Sequence, residues 1–334
     1  MKVFLKKGFV WLSTFCAILF GFFTVFLALL PLVFGDETAV ALSPVEQELC
    51  ILDSDGSSEI LIGGDSRALY HLMPSLISDI THKETTNVGQ WLHLGGDPTT
   101  FINSLKKNPH VLEKNPIIVF SITIDDLNDL GFKGIPLIQI LNWSVWDHFR
   151  LAIHRPKAYP KFFFNNFLPG VYQLAKNKLK REDFHCQENA YLPARIMTDR
   201  GFTPYIGKKT TGFWGLPNLE NDYLLEGGQL KNLHKALTWL SKSRAKKIIL
   251  YNAPIDSVWL RNTDGLVAIK MENKFSQILK TVIAKYPKIS LIDFYKNPIK
   301  ELNETDFYDQ THLNIEGAKI FSQRMGEYIQ SLAN

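Results

Sequence analysis

Apolar and polar positions divide this chain of 334 residues into an uninterrupted apolar block, an alternating region and an aromatic-rich interruption. The block comes first. Lys2, Lys6 and Lys7 precede an uncharged stretch, 8–35, whose core at 9–34 is rich in Phe, Leu and Val. As a helix of about 26 residues it would extend ~39 Å at ~1.5 Å per residue. That exceeds the ~30 Å hydrocarbon core, so it can cross a bilayer with some tilt. Secretory apolar regions are shorter, roughly 7–15 residues, and end on small residues at a cleavage site. This one ends on Leu32-Val33-Phe34. The pattern predicts an uncleaved single-pass anchor over 8–35 in the cytoplasmic (inner) membrane. The lysine-bearing tail 1–7 stays inside, and everything after Gly35 lies outside, periplasmic or at the cell surface.

Residues 36–58 carry acidic and small side chains and read as a linker. From 59 to 334 the period alternates. Residues 60–62 form a short apolar strand. Residues 67–80 are helix-like, with Leu69, Leu72, Leu76 and Ile80 on one face. A second strand is expected at 85–88, a short helix at 98–106 opened by Asp97 and Pro98, and a buried β-branched strand within 116–124. Leu230, Leu233, Leu237 and Leu240 mark the next helix, 247–251 a strand, and Met271, Phe275, Ile278, Leu279 and Val282 another helix. A strand at 289–294 and a last helix carrying Phe321, Met325, Tyr328 and Leu332 complete the series. Strands alternating with helices predict an α/β fold, a three-layer α/β/α sandwich with a parallel sheet. Ligands of such sheets sit beyond the carboxyl ends of the strands.

The interruption, about 133–226, is too long for a simple loop. Trp143, Trp146, Phe149, Tyr159, Phe162, Phe163, Phe164, Phe167 and Tyr172 are interleaved with Arg150, His154, Arg155, Lys157 and Lys161. It reads as a helical insertion with its own small core. The sharper reading is a cap that shapes a cleft or rests on a lipid interface, which basic residues mixed with bulky aromatics suit.

Charge and cysteines exclude more than they assign. The formal net charge is +4 and the cations are dispersed, unlike the basic stripe of a nucleic-acid binder. Calcium loops, a Walker A motif and C-x-x-C pairs are absent, and the histidines show no metal-ligand spacing, so neither metal nor cofactor is expected. Cys16 lies in the anchor. Cys50 and Cys186 lie in the exported part, where a disulfide is permitted but not required.

Two short motifs carry the chemistry. Gly64-Asp65-Ser66 follows the first strand, and Asp309-Gln310-Thr311-His312 precedes the last helix. A serine at a strand-to-helix turn can be a nucleophile, and an Asp three residues before a His can orient the imidazole as its base. Ser66 can also serve as the N-cap of the following helix, where backbone N–H groups face a developing oxyanion. Each motif alone is common. Their conjunction points to acyl transfer through a serine ester.

On these residues the chain resembles the SGNH (GDSL-type) hydrolase superfamily over roughly 59–334, apart from the insertion. Gly64-Asp65-Ser66 resembles its nucleophile block, and Asp309-x-x-His312 with Leu313-Asn314-x-x-Gly317-Ala318 its last block. The resemblance implies Ser66 as nucleophile, His312 as base and Asp309 as its orienter. It also implies an oxyanion hole that includes the Ser66 amide and a glycine, first Gly89 of Asn87-Val88-Gly89, then Gly95 or Gly96. The asparagine block departs from the family. Its place reads Ser121-Ile122-Thr123-Ile124-Asp125-Asp126, so Thr123 stands as the hydroxyl donor and Asn128 as its alternative. Asp125 and Asp126 could bind a cation or cap a helix, and capping is the favoured expectation. Asp199-Arg200-Gly201-Phe202 reads as a loop with a local ion pair, or as an aid to a polar substrate.

With an N-terminal anchor, the arrangement is similar to envelope acyl-transfer proteins, among them the alginate acetylation proteins and the DltD family of teichoic acid D-alanylation. That likeness implies an envelope polysaccharide or related polymer as acceptor, an acyl donor, and a multispanning membrane-bound O-acyltransferase as partner. The competing expectations are a catalytically weak SGNH-like binding partner of such an acyltransferase, and a lipid esterase at the membrane surface.

Overall fold

The computed structural model describes residues 58–89, 108–129, 145–169, 224–258 and 263–332, with single positions between and before them. Five parallel strands form its centre: β1 (Ile60–Gly63), β2 (Thr85–Asn87), β3 (Ile117–Ser121), β4 (Lys247–Asn252) and β5 (Ile289–Asp293). Their order is β2-β1-β3-β4-β5. The chain therefore reverses its direction of travel across the sheet between β1 and β3, which is where ligands bind in open parallel sheets.

Alternate residues of a strand face opposite ways, and both faces here are apolar. Leu61, Ile118, Phe120, Ile248 and Leu250 enter one core, packed by Leu233, Leu237 and Leu240 of α5 (Gly228–Lys242) and Phe275 and Leu279 of α6 (Thr263–Ile283). Ile60, Ile62, Ile117, Val119, Ile249 and Tyr251 enter the other. There they meet Ala68 of α1 (Ser66–His71), Ile77 of α2 (Pro74–Thr81) and Phe321, Met325 and Ile329 of α7 (Ile315–Ser331). Helices thus cover both faces, as the near-continuous apolar strands require. Each fully buried aliphatic or Phe side chain contributes ~1.5–3 kcal/mol, so a charge at Val119 or Ile249 would remove the reason for the layer above it.

Two boundaries differ from the sequence pattern. The helix expected over 67–80 is two helices, α1 and α2. Pro74 opens α2, and the residue before it, Met73, is extended, because a proline ring disfavours helical geometry in the residue it follows. The linker expected to run to 58 stops short of it: Ser58 is buried and its hydroxyl donates to Thr86 Oγ1 at 2.6 Å.

The insertion contributes α3 (Val145–His154) and α4 (Ala158–Phe162), the latter continuing as a π-helical turn over Phe163–Phe167. Leu151, Tyr159, Phe163 and Phe167 are buried around His148, whose Nδ1 contacts the Tyr159 hydroxyl. That is the small separate core expected of it. Among the described residues no helix is long and apolar enough to cross a membrane. The predicted anchor lies outside the described residues save for Gly21 and Val25, and Cys50, Cys186, Gly95 and Gly96 lie outside them too.

Candidate active site

The turn after β1 is built for close approach. Gly64 has φ +123°, and a Cβ there would lie 2.7 Å from Ser121 Cβ and 2.8 Å from its carbonyl oxygen. Only glycine combines that backbone with that space. The next residue, Asp65, is the N-cap of α1. Its carboxylate accepts from the Arg67 amide at 3.0 Å and from Ser121 Oγ at 3.0 Å. Ser66 is therefore not the N-cap. It is the first residue of the helix proper, where the backbone N–H has no intrahelical acceptor.

Asp309 and His312 are held by a turn that needs only four residues. Asp309 Oδ1 accepts from the amides of Thr311 and His312, both at 2.8 Å. This is the side-chain-to-backbone turn that Asp favours. It presents Oδ2 to His312 Nδ1 at 2.8 Å. On the other side of the ring, His312 Nε2 lies 2.8 Å from Ser66 Oγ. Burial alone would raise the Asp309 carboxyl, but the hydrogen bond and charge of His312, with the two amides, hold it down at about 2. An ionised carboxylate only accepts. Nδ1 therefore carries the hydrogen, and Nε2 is left to accept the serine proton.

The residues after this turn fix it to the rest of the domain. Asn314 caps α7, accepting from Glu316 and Gly317 amides at 3.1 Å. Gly317 is needed there, since a Cβ would sit 2.2 Å from the Asp306 carbonyl oxygen. The Leu313 amide donates to His71 Nε2 at 3.1 Å. His71 is fully buried, and burial, then the neighbouring His312, pushes its pKa well below the ordinary imidazole value. The neutral ring that results can accept. Metal-ligand spacing does not single out His71 in the sequence; the available signal is its place five residues after Ser66, on the same short helix. Nor does the sequence pattern give Asn87 a role of its own. Its amide donates to the Ala68 and Leu72 carbonyls, fixing α1 against β2.

The oxyanion candidates fare differently. Ser66 opens α1, directly after its N-cap Asp65. Gly89 packs on α1, where a Cβ would approach the Leu69 nitrogen to 2.6 Å, but its amide donates to Asn87 Oδ1 at 2.8 Å. Thr123 donates its amide at 2.7 Å and its hydroxyl at 3.1 Å to Asp126 Oδ2. A hydroxyl has one hydrogen to give, so the expected Thr123 donor is already engaged in this structure. Asn128 accepts the Leu224 amide at 2.9 Å through Oδ1, joining the return of the insertion to the end of β3. Asp126 is not the helix cap expected of it: it lies within the 3-10 turn Asp125–Leu127, whose N-cap is Ile124, and its carboxylate reaches back to Thr123. Asp199 braces α2 from outside: its carboxylate accepts from the amide and hydroxyl of Ser75 at 2.9 and 3.0 Å, in the first turn of that helix.

On the far side of Ser66 lies an arrangement that no short motif announces. Arg67 is buried, with Nη2 4.0 Å from Asp125 Oδ2. Burial works against its charge, yet Asp65, Asp125, Glu272 and Asp126 together raise its pKa. Among the described residues its Nε and Nη1 have no hydrogen-bond partner. Burial pushes Glu272 up to about 7, against Arg67 and the amide of Asn252. Asp126 is raised well above the carboxylate range by burial and by Asp65. No group of three or more His, Cys, Asp or Glu residues converges as a metal site among the described residues.

No protein-family model matches the chain, and no curated protein matches it in sequence. Solved structures do match. One, described as "The structure of a putative platelet activating factor from Streptococcus pneumonia", is 14% identical with a TM-score of 0.42, covering 85% of this chain and 91% of that one. A likeness of that degree carries no functional argument. The class defined by fold and geometry is an α/β protein with a Ser-His-Asp constellation at the carboxyl end of its sheet.

Proposed function

We propose that the chain is a membrane-anchored, serine-dependent O-acyltransferase or acyl esterase of the SGNH type, acting on an extracytoplasmic envelope polysaccharide or related polymer. One observation carries it: Ser66 Oγ, His312 Nε2, His312 Nδ1 and Asp309 Oδ2 form a continuous hydrogen-bonded relay, each link 2.8 Å. A relay of this kind makes a poor nucleophile a usable one. Ser66 Oγ attacks the acyl carbonyl while His312 Nε2 takes its proton. The imidazolium is stabilised by ionised Asp309, which stays unprotonated. The carbonyl oxygen, now anionic, is received by the Ser66 amide at the start of α1. Collapse expels the donor's alkoxide with the proton from His312 and leaves an acyl ester on Ser66. His312 then deprotonates the acceptor hydroxyl, which displaces Ser66. A sugar hydroxyl gives transfer, and water gives hydrolysis.

In this reading the departed asparagine block and the engaged Thr123 leave the Ser66 amide as the principal donor. That lowers the rate expected of transfer and of hydrolysis alike, since one missing donor costs ~10²–10³ in rate. A multispanning membrane-bound O-acyltransferase would supply the acyl group from the cytoplasmic side. The test is a fluorophosphonate probe on the full-length protein. Wild type should be labelled on Ser66, while Ser66→Ala should not be labelled. An unlabelled but folded wild type would favour the binding-partner reading instead.

A further inference from the structure

Among the described residues, the large aromatics that are exposed all lie in the insertion: Trp146 (66% exposed), Phe149 (39%), Phe164 (64%) and Tyr172 (66%). Ile153, 61% exposed, completes a stripe with Trp146 and Phe149 on α3. Positions spaced by three and four share one helix face. That face is aimed outward because the opposite one is committed. Asp147 takes Lys231 Nζ on both oxygens at 2.7 Å, and His148 and Leu151 are buried in the insertion's own core. Arg150 donates to the Glu226 carbonyl, so α3 is tied at two points to the start of α5.

Along 145–172 the exposed charges have one sign. Within 145–172 the cations are Arg150, Arg155, Lys157 and Lys161, and the one acid is Asp147, which is buried and spent on Lys231. Protein–protein interface cores are depleted in Lys, whereas bulky apolar groups flanked by Lys and Arg suit an anionic headgroup layer.

We propose that this face of α3 docks on the anionic surface of the bilayer that holds the N-terminal segment. The proposal rests on the membrane-anchor part of the functional reading and not on its acyl chemistry. Reach permits it. The described domain starts at the amino end of β1, while the insertion leaves beyond the carboxyl end of β3. These ends lie roughly 17 Å apart along a strand, and the segment 36–57 can stretch to roughly 75 Å.

The test uses the full-length chain with Cys16, Cys50 and Cys186 replaced by Ser, in nanodiscs of phosphatidylcholine with 30% phosphatidylglycerol. A spin label is placed in turn at Val25→Cys, Ile153→Cys and Lys319→Cys, and its access to oxygen and to a neutral nickel chelate is measured. Oxygen access should exceed nickel access at 25 and 153 and fall below it at 319, on α7. At 153 the ratio should drop several-fold in pure phosphatidylcholine, or when Lys157 and Lys161 are both changed to Glu. If 25 is lipid-exposed while 153 resembles 319, docking is overturned and the anchor stands. If 153 is lipid-exposed while 25 resembles 319, the docking surface stands without the anchor. A label at 153 shielded from both reagents would mean that protein covers the face, and would overturn the proposal.

Discussion

The two flanks of Ser66 solve the problem of buried charge in opposite ways. On the His312 side the charged and polar groups pair closely: Asp309 receives two amides and an imidazole, and His312 spans Asp309 and Ser66. On the Arg67 side one buried cation sits among four carboxylates. Two of its donor nitrogens are unpartnered among the described residues, and two of those carboxylates have raised pKa values. The first flank is local and short-ranged, so its geometry is set by one turn. The second is assembled from the ends of β1 and β3 and from α6, and its charges balance only as a group. Catalysis should depend on the first, and stability and its pH dependence on the second.

The largest effects should come from cutting the relay. Ser66→Ala and His312→Ala should each lower ester cleavage or transfer by about 10³–10⁶, with the double variant scarcely worse, because the two act as a unit. Steady-state kinetics and probe labelling on the full-length protein measure this. Asp309→Asn should lose about 10²–10⁴, since the base survives without its orienter. Additive losses in the double variant would break the picture of a single relay.

Next in size is the other flank. Arg67→Met removes the cation and leaves its carboxylates uncompensated, which for a buried pair costs ~3–5 kcal/mol. Denaturant unfolding should show that loss. An unchanged midpoint would mean that the carboxylates simply protonate and that the flank carries no net charge balance.

Glu272 sharpens the comparison through pH. Its pKa in the folded chain, about 7, lies above its ordinary value of 4.5. The folded state therefore binds a proton that the unfolded chain has released, and Glu272 weighs against folding as pH rises from ~4.5 through ~7. Relative to wild type, Glu272→Gln should gain up to ~3 kcal/mol across that window and little below it. Asp309 has the opposite sign. Its folded value of about 2 lies below the ordinary 3.8, so its contribution is present above ~4 and fades as pH falls toward 2. Thermal melts at pH 2.5, 4, 5.5 and 7.5 separate the two. A Glu272→Gln difference that is flat in pH would rule out the raised carboxyl.

The smallest effect expected is at Thr123. Its hydroxyl already donates to Asp126, so Thr123→Val should change the acyl-transfer rate by less than about threefold. A loss of 10² or more would mean that the hydroxyl turns to the oxyanion during reaction.

Much of the fold and of the relay is legible in the chain, for reasons that particular residues make plain. The run Ile117–Ser121 reads as a buried strand because it is apolar at every position but the last and mostly β-branched. Asp309 and His312 read as a pair because the turn that joins them spans four residues and needs no distant partner. The split between α1 and α2 is written in Pro74, but the leucine periodicity continues across it and hides it. Asp65 rather than Ser66 is the N-cap, since the turn at Gly64 sets where the helix begins.

By itself the sequence determined the local elements: strand runs, helix stripes, the self-contained Asp-to-His turn, and the conflict between a Ser-Ile-Thr-Ile segment and an asparagine block. These depend on interactions a few residues long. Only the tertiary structure decided that Ser66 meets His312, 246 positions away. That contact depends on β1 lying inside the sheet and on α7 crossing back to pack beside α1 and α2. The tertiary structure also decided that His71 steadies the His312 turn, and that Arg67, an ordinary helix residue in the sequence, is a buried cation. Burial and charge balance are sums over neighbours from distant segments, and strand order, which no short stretch encodes, chooses those neighbours.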